Sequence, residues 1–228
     1  FCAIPLIRGS LRSRKISEIV DEIKELLSRG VFEINLIGQD LAAFGCGQKD
    51  DVFSNGKNMY DFMYKNLSKP LIDFSEPLEH SPLYYLCEEI LKLPQNFWLR
   101  LLYIHPDHFN PDVLDLMQKD SRLLPYFDIP FQSGDDSIIK KMNRKGTAAS
   151  YKKIVSTIRE KLPESCIRTT FLTGFPGEGD KEASNTESFL KDIKSDWSGC
   201  FSYSKEDDTP AEKFKKQVPF KKAQKRAD

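Results

Sequence analysis

The run Val31-Phe32-Glu33-Ile34-Asn35-Leu36-Ile37 leads straight into Gly38-Gln39-Asp40, and it follows a segment in which Ile19, Val20, Ile23, Leu26 and Leu27 recur every three or four residues. That spacing predicts a helix with one buried stripe, capped by Ser17 and stopped by Gly30. The apolar run after it has strand character. Helix, short turn, strand and polar loop in this order predict a parallel α/β unit. Ligands of such units sit beyond the carboxyl ends of the strands, so Gly38, Gln39 and Asp40 stand where chemistry belongs. The plainer reading of the same residues is an ordinary turn.

The unit repeats downstream. Further strands are predicted at about residues 98–103, 126–129, 167–172 and 198–203, after a first at 32–37. Helices are expected at Leu83 to Lys92, Asp112 to Lys119, Ile138 to Arg144, Ser150 to Lys161 and Thr186 to Lys194. Polar groups again fall at strand ends: His105, then Gln132-Ser133-Gly134, then Thr170 and the Thr173-Gly174-Phe175-Pro176-Gly177-Glu178 turn. This alternation predicts an open (β/α) barrel rather than a doubly wound sheet. From Gly45 to about Pro94 the chain is rich in breakers and reads as a surface insertion, with a further helix around Met59 to Asn66. His105 reads as a hydrogen-bonded loop residue in preference to a metal ligand, and the basic tail from Lys213 to Arg226 as the start of a closing helix. For any single lysine of that tail, a solvated charge is the better reading.

Composition narrows the function classes. The 228 residues are 39% hydrophobic, enough for a sizeable core, and 34 basic against 34 acidic residues leave no net charge. A phosphate-backbone binder held by bulk electrostatics is thereby disfavoured, although a local basic patch is allowed. There is no apolar run of membrane-spanning length and no signal-peptide layout, so a soluble cytoplasmic protein without membrane partners is expected. The five cysteines are odd in number and scattered, which is no disulfide framework. Cys87, Cys166 and Cys200 read as small core residues, and Cys46, between two glycines, as a reactive thiol. Cys2 alone is weak evidence of anything.

Cys2 does not stand alone, however. Phe1 precedes it, and Pro5, Arg8-Gly9 and Arg12-Ser13-Arg14 follow. Then come Gly38-Gln39-Asp40 with Ala43-Phe44-Gly45, Asp128-Ile129-Pro130-Phe131-Gln132-Ser133-Gly134 with Ile138 to Arg144, the Thr173 to Glu178 turn, and Gly199-Cys200-Phe201-Ser202-Tyr203-Ser204 followed by Thr209-Pro210-Ala211. In this order they resemble the radical S-adenosylmethionine (SAM) methylthiotransferases. The resemblance departs at Gly179-Asp180-Lys181, where the family usually offers Thr and acidic residues, and this leaves the start of the next helix open.

The resemblance implies an α/β fold, an open (partial) TIM-like (β/α)6 barrel of the radical SAM type whose first strand precedes Phe1. Cys2 would be the third ligand of a CxxxCxxC loop holding a 4Fe-4S cluster, with SAM on the open fourth iron. Complete members carry two clusters, in the barrel and in an N-terminal domain, and end in a TRAM domain. Residues 1–228 would therefore be the core domain alone, with the insertion around 46–94. With one cluster cysteine, it is expected to hold no stable cluster and to be inactive by itself. In the family, cleavage of SAM yields a 5′-deoxyadenosyl radical that takes hydrogen from an unactivated carbon, and sulfur delivery and methylation follow. Gln39, Gln132, Ser133, Thr170 and Gly174, at or beyond strand ends, are the expected SAM-lining residues, and Arg8, Arg12 and Arg14 are expected to meet anionic cofactor or protein carboxylates.

Two substrate classes are implied. Asp40 with Ala43-Phe44-Gly45, Leu101-Leu102-Tyr103 running to His105-Pro106-Asp107-His108, Asp128-Ile129-Pro130 and Gly199 to Ser204 resemble the type that modifies an aspartate of ribosomal protein twelve of the small subunit. Gln132-Ser133-Gly134 and Met142-Asn143-Arg144 resemble the type that modifies a tRNA adenosine. The first is the expectation, with the ribosomal protein or the assembled subunit, a sulfur donor and an electron donor as partners. tRNA is the alternative substrate, and a non-catalytic barrel that only binds a partner is the reading from another class.

Overall fold

A computed structural model describes residues 3–9, 11–45 and 79–228. Cys2, Cys46 and the helix expected around 59–66 lie outside the described residues. In chain order the elements are α1 (Ile4–Arg8), α2 (Ile16–Ser28), β1 (Glu33–Leu36), α3 (Pro82–Leu91), β2 (Trp98–Leu101), α4 (Val113–Lys119), β3 (Tyr126–Asp128), α5 (Asp136–Lys141), α6 (Ala148–Lys161), β4 (Cys166–Thr173), α7 (Asp180–Ile193), β5 (Trp197–Ser202) and α8 (Phe220–Ala227). They fall into two compact units, one formed by Ser10–Leu102 and Asn110–Pro125, the other by Phe1–Gly9, Tyr103–Phe109 and Tyr126–Asp228. No described helix is long and apolar enough to cross a membrane.

In the first unit β1 and β2 pair in parallel, Glu33 opposite Trp98 and Leu36 opposite Leu101. Their inward residues Ile34, Leu36, Leu99 and Leu101 are buried, and Ile23, Leu27, Leu86, Ile90, Leu114 and Met117 of the helices complete the core. α2 starts at Ile16 with Lys15 as its cap, two residues before the expected Ser17. Ile16 explains the shift: it is 1% exposed, and its burial draws the first turn inward without any side-chain cap. The carboxyl end of α3 is closed from a distance. Arg122, paired with Asp120 at 2.7 Å, donates to the carbonyls of Leu91, Leu93 and Gln95, supplying the partners that a helix end lacks.

In the second unit β3, β4 and β5 form a parallel sheet in that order. Phe127 lies opposite Ile167, and Thr170 opposite Gly199. β4 alternates in burial along its whole length, because Ile167, Thr169, Phe171 and Thr173 share one face and Cys166, Arg168, Thr170 and Leu172 the other. The buried face packs on Phe189 of α7, whose ring meets Phe171 and Phe131 edge-on at 6.1 and 5.4 Å. Each such buried ring stabilises the unit by about 1.5–3 kcal/mol. Met142 also packs, in a cluster with Ile138, Phe175 and Ala211.

Three local expectations are corrected. The opening stretch contains a helical turn, α1, where a loop was expected. The strand expected to reach Tyr103 ends at Leu101, and Tyr103 has φ 58°, a left-handed conformation that no strand accommodates. α7 begins at Asp180, not Thr186: the Gly179 amide donates to Glu182 Oε2 at 2.8 Å, which closes the helix start six residues earlier.

Candidate functional site

The carboxyl ends of β3 and β4 are joined beyond the regular ladder. After β3, the Gln132 amide donates to the Thr170 carbonyl at 2.8 Å, and the Leu172 amide donates to the Gln132 carbonyl at 2.9 Å. Gln132 holds φ 69° there. A residue with a side chain gives up about 1–3 kcal/mol to sit in such a region, so the surrounding bonds must hold it in place. The sheet thereby sets Gln132 beside Thr170. On the next strand Gly199 faces Thr170, and a Cβ built on it would lie 3.9 Å from the Thr170 hydroxyl and 3.6 Å from the Phe201 ring. Phe201 is 60% exposed. An open aromatic surface thus adjoins a hydroxyl, with Gln132 bonded to the same strand, a combination that can stack a planar base and hydrogen-bond a sugar or amino-acid moiety. The Cys200 thiol, on the opposite face of β5, is pushed up by burial, which disfavours its thiolate.

Ser133 and Gly134 serve this site from behind. The Ser133 side chain is buried, shares a 3.1 Å hydrogen bond with the Thr186 hydroxyl and accepts from the Asp135 amide at 3.1 Å. A Cβ on Gly134 would lie 2.2 Å from Phe189 Cβ, so only glycine lets α7 come this close. Asp135 caps α5 by accepting from the amides of Ser137 and Ile138, and Asn185 Nδ2 donates to its other oxygen at 2.7 Å. Burial alone would raise this carboxyl. The bonds from Ser137, Asn185 and Ile138 outweigh it and hold Asp135 below the ordinary range.

Gly174 ends β4 with φ 75°, and a Cβ there would lie 2.2 Å from Ala223 Cβ. Its amide donates to Glu178 Oε1 at 2.9 Å. Arg226 donates to the same oxygen at 2.7 Å, and to Asp180 at 2.7 Å through its other nitrogen. Burial pushes the Glu178 carboxyl above its usual range in spite of Gly174 and Arg226. The glycine is thus accounted for by packing within this chain. Nothing local in the sequence marked Arg226 out from the other basic residues of its tail.

Of the remaining expected residues, Gln39 belongs to the other unit, exposed in the loop between β1 and a single helical turn at Leu41–Ala43. Arg14 meets Glu22 at 2.6 Å, a protein carboxylate as expected. His105 accepts from the Asp107 amide through Nδ1 at 3.2 Å, the loop role expected of it.

A profile of the family described as the Radical SAM superfamily matches residues 1–190. Among curated proteins, one named ribosomal protein uS12 methylthiotransferase RimO from Treponema denticola is 48% identical over 99% of this chain and 46% of its own length. Proteins of the same name from Syntrophotalea carbinolica and Thermotoga petrophila are 33% and 32% identical, over 96% and 100% of this chain and 42% and 46% of theirs. The chain therefore spans a little under half the length of these relatives. Among solved structures, the radical S-adenosylmethionine methyltransferase TsrM from Kitasatospora setae, with tryptophan and a SAM analogue, matches with a TM-score of 0.55 at 14% identity, over 82% of this chain and 30% of that one. A second TsrM structure, with cobalamin and a [4Fe-4S] cluster, matches with a TM-score of 0.51 at 13% identity, over 83% and 31%. At such identities the likeness speaks to fold alone, and it agrees with the open parallel barrel expected from the βα alternation. With the family profile spanning both units and the parallel sheets in place, the chain belongs to the radical SAM superfamily.

Proposed function

We propose that this chain is the radical SAM core of a methylthiotransferase that adds a methylthio group to the β carbon of an aspartate in ribosomal protein uS12. The observation that carries the reading is the 48% identity, over 99% of the chain, to a protein named for that activity. The absence of net charge agrees with it, since an enzyme gathering tRNA phosphates needs positive potential.

A 4Fe-4S cluster and SAM supply the hydrogen-abstracting chemistry when bound. Cys2 would provide one cluster thiolate. The β4 and β5 face suits SAM on three grounds: the exposed Phe201 ring offers a stacking surface, Gly199 leaves room beside it, and Thr170 and Gln132 offer hydrogen bonds. Ser133 and Gly174 hold this face in shape from behind, through Thr186 and Ala223. Gln39, in the loop after β1, is likewise proposed as a SAM-binding residue. The residues' share is to orient the ligand, exclude water and keep the substrate carbon within reach. Sulfur and electron donors complete the reaction as partners.

The test supplies the complete enzyme, a reductant and SAM with either small ribosomal subunits or bulk tRNA, and reads the products by mass spectrometry. A methylthio gain on a uS12 aspartate is the expected result. The same gain on a tRNA adenosine, with none on protein, overturns the substrate assignment.

A further inference from the structure

α8 leaves Lys221 and Lys225 exposed, as expected of single lysines, but buries Ala223 and packs one edge on the unit. Its residues Lys222, Ala223 and Arg226 face the turn that ends β4, and four polar groups of that turn bond to the last part of the chain. The Thr173 hydroxyl donates to the Ala223 carbonyl at 2.9 Å, and the Gly177 amide donates to the Lys216 carbonyl at 2.9 Å. Arg226 donates to the Glu178 carbonyl at 3.1 Å and to its carboxylate at 2.7 Å, and that carboxylate in turn receives the Gly174 amide. Asp180 ties both Lys222, at 2.8 Å, and Arg226 to the start of α7. The Glu178 and Arg226 side chains are only 3% and 12% exposed, so this pair is not a screened surface contact. Ala223 meanwhile occupies the place of the Cβ that Gly174 lacks.

We infer that Arg226 and Ala223 are positioning residues: α8 sets the conformation of the Thr173 to Glu178 turn, and through it the placement of Thr170 and the affinity of the β4 and β5 face for its ligand. The inference rests on the reading of that face as the SAM site. Thr173 lies three positions after Thr170 on one strand, and the Tyr203 amide donates to the Thr173 carbonyl at 2.8 Å, so a shift of the turn carries both strand ends with it. Lys221 and Lys225 form no ion pair among the described residues, and Lys225 serves as the control on the same helix.

The experiment uses the complete, cluster-loaded protein and S-adenosylhomocysteine as the probe. Affinity is measured by calorimetry, and amide hydrogen exchange is followed at Gly174 and Gly177. Arg226→Ala should weaken binding about tenfold, which is about 1.4 kcal/mol, with faster exchange at both amides. Arg226→Lys keeps one bond to Glu178 and should restore most of the affinity, whereas Lys225→Ala should match the wild type. Arg226→Lys also carries the test if Arg226→Ala fails to fold, since loss of affinity in Arg226→Lys relative to wild type, with the turn still protected, contradicts positioning. Unchanged affinity in Arg226→Ala despite lost protection at Gly174 overturns the inference. Wild-type protein that does not bind the probe overturns the ligand reading instead.

Discussion

The Tyr151 hydroxyl donates a 2.7 Å hydrogen bond to Asp107 Oδ1, joining α6 to a loop 44 positions earlier in the chain. The amides of Gly146 and Lys145 donate to the same carboxylate at 2.9 and 2.7 Å, so one side chain organises the approach to α6. Burial would raise Asp107, but these three donors hold it below the ordinary range, while burial and Asp107 push the Tyr151 hydroxyl up. Tyr151 is 1% exposed and has no water to fall back on. Tyr151→Phe should therefore cost about 1.5–3 kcal/mol, the range for a hydrogen bond to a charged group. Urea denaturation checks it, and a loss below about 0.5 kcal/mol would show that the two amides suffice.

Gly134 separates a steric requirement from a merely conformational one. An added Cβ would meet Phe189 Cβ at 2.2 Å and Thr186 Cα at 3.0 Å, neither of them the free end of a flexible side chain. Gly30, by contrast, has φ 85° but nothing within 4 Å. Gly134→Ala should cost about 1–3 kcal/mol through displacement of α7, and Gly30→Ala about 1–2 kcal/mol from the left-handed backbone alone. The distinguishing measurement is amide hydrogen exchange in α7, which should change in the first variant and stay fixed in the second.

Periodicity made the strands and their polar ends legible, because alternation along β4 and the apolar runs of β1 and β2 report burial directly. What it could not show are contacts that join distant segments. Arg122 closes α3 from about thirty residues away, and Arg226 reaches Glu178 across 48; in the sequence both are ordinary charged residues. Gln132 was legible as a strand-end polar group, yet its left-handed backbone comes from bonds to β4 that no local pattern encodes. Ser133 looked equally ligand-facing, but its hydroxyl is turned to Thr186, a partner 53 residues later.

Asp135 links this packing to pH. Its folded carboxyl lies below the ordinary value of 3.8, so the stability it contributes is present above that value and is lost as pH falls through the folded one. Asp135→Asn keeps a capping oxygen and should cost about 1 kcal/mol or less at neutral pH. The gap between wild type and variant should shrink as pH falls from 6 to 2, because the wild type alone loses this contribution. Glu178, raised by burial, runs the opposite way: its contribution is present at low pH and lost as pH rises. A gap that stays constant over the acid range would mean that Asp135 titrates alike in folded and unfolded chains.

Gly199 offers the sharpest probe of the proposed ligand face, because the fold does not need it to be glycine. A Cβ there meets the Phe201 ring at 3.6 Å and the Thr170 hydroxyl at 3.9 Å, both ordinary contacts, and its backbone is in the strand ladder opposite Thr170. Gly199→Ala should thus leave stability unchanged or raise it by about 0.5–1 kcal/mol, since glycine weakens a strand interior. The added methyl nevertheless projects into the space between the stacking ring and the hydroxyl, where the adenosyl part of SAM is proposed to lie. Binding of S-adenosylhomocysteine to the complete protein should fall about tenfold in Gly199→Ala and further in Gly199→Leu, with thermal midpoints at or above the wild-type value. Equal affinity in both variants, with both folded, would move the ligand off this face and leave Phe201 exposed for some other purpose.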